Sequence, residues 1–217
     1  MPARTTEQRA VDLLLMLSTV ERLSQQRPAR LGETVFQKII FWSQMRLHEL
    51  SLDGPRASFY RYTHGPFSRD VERDVRKLRE LKHLEGSTFR LSPRGREIAV
   101  RWREALEPLN REVFSVVSAM AEDLGPLSAE AVKRKTYALP AERVGAPAKY
   151  RTLKDVPTGV ALLLARARQL KPFVISDDDV ADLVLDLSIT GSRAAAVRAP
   201  QFVRTTASEI EATLDEQ

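Results

Sequence analysis

The sequence predicts a mainly α-helical protein with a small β wing, and three observations carry that expectation. Apolar residues recur three and four positions apart through most of the chain. Serine stands directly before four such segments, at Ser68, Ser92, Ser128 and Ser176, where its hydroxyl can cap a helix. Only two short stretches, SFYRYTH and LEGSTFRLS, have the aromatic or alternating character that suits an extended chain.

The elements follow in order. Thr6 to about Gln25 carries Val11, Leu14, Leu15, Leu17, Val20 and Leu23 and predicts a first helix, ended by Pro28 and Gly32. ETVFQKIIFWSQMRLHEL predicts a second, so apolar that it belongs at the centre of the core. Asp53-Gly54-Pro55 predicts a turn. SFYRYTH predicts a short strand stopped by Gly65-Pro66. Ser68 then caps a helix in which Val71, Val75, Leu78 and Leu81 face inward, while Arg69, Arg73, Arg76 and Glu80 advance along another face. Gly86-Ser87 predicts the turn of a small hairpin, with Phe89 and Leu91 on one side of its second strand and Arg90 on the other. Ser92-Pro93 opens one long helix reaching Leu124, bent near Pro108. Beyond Gly125, LSAEAVKRKTYAL predicts a short capped helix, residues from about 139 to 159 an irregular connection, and ALLLARARQL another helix. Ser176 and Asp179 start a helix that Gly191 ends, and ASEIEATL near the C-terminus is a marginal one. Residues 1–124 are thus expected as one helical domain and 125–217 as a helical extension.

Composition narrows the function. With 43% hydrophobic and 29% charged residues, and no apolar run near the roughly 18 residues of a membrane span, the chain reads as globular, with no membrane partner. Glu7 and Asp12 interrupt what an export signal requires, so a cytoplasmic location is expected. No cysteine is present, and His48, His64 and His83 are widely spaced, which leaves no thiol catalysis and little for a zinc site. His64 has no partner acid or nucleophile at a recognisable spacing; Gly-rich phosphate loops, HExxH and GxSxG are absent. The run Asp177-Asp178-Asp179 complements a helix dipole and lacks the spacing of a calcium loop. No catalytic residue, metal ligand or cofactor is therefore assigned.

Charge is unevenly distributed. Arg56 to Arg103 holds 13 Lys/Arg against 6 Asp/Glu, a net +7 in a chain whose total is +5. Such a field favours a polyanion or an acidic protein surface. Helix, turn, basic helix and short hairpin are also the order of a winged helix, in which the basic helix enters the major groove. Arg69, Arg73, Arg76, Lys77, Arg90 and Arg94 are the residues for that alternative, with Glu72, Asp74 and Glu80 interrupting the basic face. For a protein partner the candidates are Tyr60, Tyr62, Phe67 and Arg73, since aromatics and arginine dominate interface energetics.

Four pieces of the chain recur together in a known family. Lys38-Ile39-Ile40-Phe41, the aromatic segment ending in Gly65-Pro66-Phe67-Ser68, Asp74-Val75, and Leu91-Ser92-Pro93-Arg94-Gly95 resemble, in order and spacing, the Panacea domain, the SocA-like domain of phage-associated antitoxins also found in YwgA-like proteins. The resemblance spans roughly Leu31 to Glu97; Val75 departs from the usual leucine, and the acidic helix after Ser176 has no counterpart. It implies a mainly helical, winged-helix-like, non-enzymatic domain that binds a partner protein, often a toxin whose gene lies alongside. A DNA-binding regulator is the alternative.

Overall fold

Two helices that are apolar around nearly their whole circumference set the centre of the fold. In α1 (Thr6–Gln26) every residue from Ala10 to Val20 is buried, and in α2 (Glu33–Glu49) every residue from Val35 to Met45. Such helices cannot lie on a surface and must be wrapped by others. The computed structural model describes residues 4–26, 32–86, 89–163 and 170–187, and among these the chain forms seven α-helices and one three-stranded sheet. This is the mainly helical class with a small β component that the sequence predicts.

Two strands of the sheet lie between α2 and α3 in sequence, and the third follows α6. Strand β1 (Phe59–Tyr62) pairs antiparallel with β2 (Gly65–Phe67), placing Tyr60 opposite Phe67 and Tyr62 opposite Gly65. Gly65-Pro66 therefore does not stop the extended segment; it begins the return strand. The cause is Gly65, whose φ of 100° lets the chain reverse within Thr63-His64, a conformation an L side chain resists. On the other side of β1 lies β3 (Ala161–Leu162), so the order is β2-β1-β3. That strand occupies the start of the segment expected to be a helix; residues 164–169 lie outside the described set.

Helix α3 (Arg69–Glu80) starts where Ser68 Oγ accepts hydrogen bonds from the N–H groups of Asp70 and Val71, and it buries Val71, Val75 and Leu78. Leu81 is only half-buried. The following hairpin is narrower than its sequence suggests: one bridge joins Leu84 to Leu91, and the Glu85 N–H donates to the Arg90 carbonyl at 2.9 Å. Phe89 stacks on Phe36 with ring centroids 4.5 Å apart, which fastens this wing to α2. The predicted long helix is two, α4 (Pro93–Leu106) and α5 (Arg111–Leu124). Pro108 has no N–H to continue the ladder, and Asn110 turns instead toward Val174, accepting its N–H at 2.7 Å and donating to its carbonyl at 2.8 Å.

Helix α6 (Ala129–Tyr137) is capped by Ser128 as expected. The irregular stretch after it contains one 3₁₀ turn, Leu153–Asp155, and Ser176 caps α7 (Asp177–Asp186). One hydrophobic core runs from Ala10 to Leu187 and takes side chains from both sides of residue 124. Helix α1 packs on α4, α5 and α7, and α2 on α5, α6, α3 and β2. Gly191 and the marginal C-terminal helix lie outside the described residues. Among the described residues no helix is long and apolar enough to cross a membrane.

Candidate functional site

The short motifs of the first hundred residues meet in space, and most of their polar residues are spent on holding the fold. Gln37 of α2 clamps Ser68 from both sides: its amide donates to the Ser68 carbonyl at 3.1 Å, and its carbonyl accepts the Ser68 N–H at 3.1 Å. Lys38 beside it donates to the Pro66 carbonyl at 3.3 Å. Helix α2 thus grips the turn whose serine caps α3, which fixes the β1–β2 hairpin and α3 relative to the core.

Asp74 belongs to the same framework. The sequence places it on the basic outer face of α3, but it is fully buried, accepting from Arg4 Nη1 at 2.7 Å and Arg9 Nε at 3.0 Å. Arg4 also donates to buried Asp12 at 2.6 Å, and Asp12 accepts the backbone N–H of Arg56 at 3.1 Å. Burial works against charge on Arg4, yet Asp74 and Asp12 more than offset it and hold the guanidinium protonated. Two carboxylates sharing one arginine between α1 and α3 are compensated only together, so this network fixes register. Gly95 has a comparable role, since a Cβ there would stand 2.1 Å from the His83 carbonyl.

What remains exposed on this framework is aromatic. Tyr60, Tyr62 and Phe67 pack on one another with centroids 5.5 to 6.0 Å apart. They stand outside the core: Tyr62 is 47% exposed, and Tyr60 and Phe67 are half-buried. The two tyrosines lie two apart in one strand and so share a face, with Phe67 opposite Tyr60 across the hairpin. Arg73 is exposed and lies 3.6 Å from Asp70. The structure therefore gathers Tyr60, Tyr62 and Phe67 into one cluster, while Arg73 belongs to the solvent face of the adjoining helix.

The residues of the nucleic-acid alternative are also at the surface. Arg69, Arg73 and Arg76 lie on the exposed side of α3 with Glu72 and Glu80 among them; Lys77 is half-buried; Arg90 and Arg94 are exposed on the wing and at the start of α4.

A second set of residues was not singled out from sequence. Arg61 points to the side of β1 opposite the tyrosines. Its guanidinium lies 4.7 Å from the Tyr137 ring centroid, and its Nε donates to the Leu153 carbonyl at 3.3 Å. Tyr137 donates its hydroxyl to the Thr63 carbonyl at 2.9 Å. Together these contacts tie the hairpin to α6 and to the 3₁₀ turn around an open groove of about 720 Å³. The signal that could have pointed here is Lys38, a cation inside a helix that is otherwise buried on every side.

Comparison of the chain with protein-family models, with curated proteins and with solved structures found no match.

Proposed function

We propose that the protein is a non-enzymatic, antitoxin-like regulatory binder of the Panacea type, acting in the cytoplasm on a partner protein encoded next to it. The observation that carries this reading is the aromatic cluster Tyr60-Tyr62-Phe67, held outside the core on a hairpin that Gln37, Lys38 and Tyr137 fasten in place. Aromatics on a rigid support lose little entropy when a partner covers them, and they supply most of the energy at interfaces. The polar residues of the quoted motifs, Lys38, Ser68 and Asp74, are spent on supporting that hairpin and α3, which leaves the exposed rings for recognition.

Co-expression with the product of the adjacent reading frame tests this. A stoichiometric complex is expected, and Tyr62→Ala combined with Phe67→Ala should weaken it at least about tenfold without changing the helical content. Absence of a complex, or a complex indifferent to both changes, contradicts the proposal.

A duplex-binding regulator is the second reading, favoured by the outward guanidinium groups of Arg69, Arg73 and Arg76. It requires affinity that falls steeply with salt and drops on Arg69→Ala plus Arg73→Ala. Binding that ignores either change removes it.

A further inference from the structure

We propose that the groove between the β1–β2 hairpin, α6 and the Thr152–Asp155 turn binds a small molecule carrying several phosphate groups, with the buried amine of Lys38 behind its wall. This goes beyond the partner-binding reading and does not depend on it, because the groove lies on the side of β1 away from the aromatic cluster.

The lining of the groove is cationic. Arg61, Lys133, Arg134 and Lys154 face the groove, and the only carboxylate among its lining residues is Glu130, which lies 3.5 Å from Lys133. Four cations around a volume of about 720 Å³, well within the range of small-molecule pockets, concentrate positive potential in one concavity. Arg61 is already oriented by the Tyr137 ring and the Leu153 carbonyl, so little side-chain freedom is lost when it meets an anion.

Lys38 adds a buried positive charge nearby. It is 3% exposed, its amine has a single hydrogen-bond acceptor, the Pro66 carbonyl, and it makes no ion pair among the described residues. Burial holds its pKa down at about 8, aided by the charged groups that act on it, Arg61 of β1 and Lys133 of α6, both repulsive, so at neutral pH it is still mostly charged. Buried cations are normally paired. A Cβ at Gly65 would stand 3.7 Å from Lys38 Nζ and 3.8 Å from the Tyr137 ring edge, so the amine approaches the wall of the groove across the space the glycine leaves open. An oligoanion in the groove supplies the counter-charge that the fold omits. Arginine forks and point-charge lysines together suit phosphate oxygens.

The experiment is calorimetric titration of the full chain with sodium tripolyphosphate at about 0.15 M salt, with citrate as a carboxylate control. Saturable binding is expected, at least about tenfold tighter than citrate. The double variant Arg134→Ala/Lys154→Ala, both exposed and outside the core, should weaken it about tenfold or more, and Lys38→Met should do the same. No saturable binding, citrate binding equally well, or affinity unchanged in either variant would overturn the proposal. Loss of the protein partner's binding in the Tyr62→Ala/Phe67→Ala variant with tripolyphosphate binding intact would separate the two surfaces.

Discussion

Replacing Lys38 by methionine keeps the length and most of the volume of the side chain but removes its charge. The cost of that charge follows from its protonation. In the unfolded chain the amine titrates near the ordinary 10.5, whereas in the folded protein burial, Arg61 and Lys133 bring it to about 8. The difference corresponds to about 3 kcal/mol of destabilisation, present in full wherever the group is protonated in both states, that is, below about pH 8. Between about pH 8 and 10.5 the unfolded chain holds a proton the folded protein has released, so the stability of the wild type rises with pH across this window. The Lys38→Met variant escapes the penalty but loses the hydrogen bond to the Pro66 carbonyl, worth about 1 kcal/mol. The net expectation at pH 7 is a variant more stable by about 2 kcal/mol, equivalent to a Tm increase of roughly 4–8 °C for a chain of this size. Urea denaturation of both proteins at pH 7 and pH 10 measures it, and their difference cancels the other groups that titrate there. The advantage of the variant should shrink by most of its value at pH 10. A variant less stable than wild type at pH 7, or a difference independent of pH, refutes the assignment of Lys38 as an uncompensated buried cation.

Three further outcomes follow from the framework. His83 is fully buried, neither of its ring nitrogens has a hydrogen-bond partner among the described residues, and burial, aided by Arg94, lowers its pKa to about 4. Between about pH 6.5 and 4.5 the unfolded chain takes up a proton that the folded protein refuses, so acidification across this window should lower the stability of the wild type relative to His83→Leu by about 2 kcal/mol, a difference that cancels the other groups titrating there, as chemical denaturation of both proteins at the two pH values reads out. Gly95→Ala drives a methyl group against the His83 backbone carbonyl, which cannot swing aside, and should destabilise by about 3 kcal/mol or more in the same assay. Ser68→Ala removes the acceptor for the Asp70 and Val71 N–H groups and should cost about 1 kcal/mol, visible as a lower Tm with the fold retained.

The parts of this architecture that are legible in the sequence are those encoded locally. The inward spacing of Val71, Val75 and Leu78 and the caps at Ser68, Ser92, Ser128 and Ser176 lie within one or two helical turns of the elements they define, and the structure uses all of them. The parts that are not legible depend on contacts between distant segments. Ala161-Leu162 has the composition of a helix and becomes a strand because β1, about a hundred residues earlier, offers it an edge. Asp74 reads as one more charge on a solvated face until Arg4 and Arg9, some seventy residues away, are seen to bury it. Gly65-Pro66 punctuates the sequence in the way a terminator does, yet a glycine with positive φ serves equally to turn a hairpin. The aromatic cluster is accessible because its members are seven residues apart at most. The cationic groove is not, because Arg61, Lys133, Arg134 and Lys154 meet only through the packing of β1, α6 and the 3₁₀ turn.

In the proposed function a fixed hairpin presents Tyr60, Tyr62 and Phe67 to a protein partner. Amide hydrogen exchange on the complex with the neighbouring gene's product tests it most directly. Slowed exchange confined mainly to residues 59–67 and the adjoining start of α3 is the predicted footprint. Unchanged exchange there, with protection elsewhere on the surface, would contradict it.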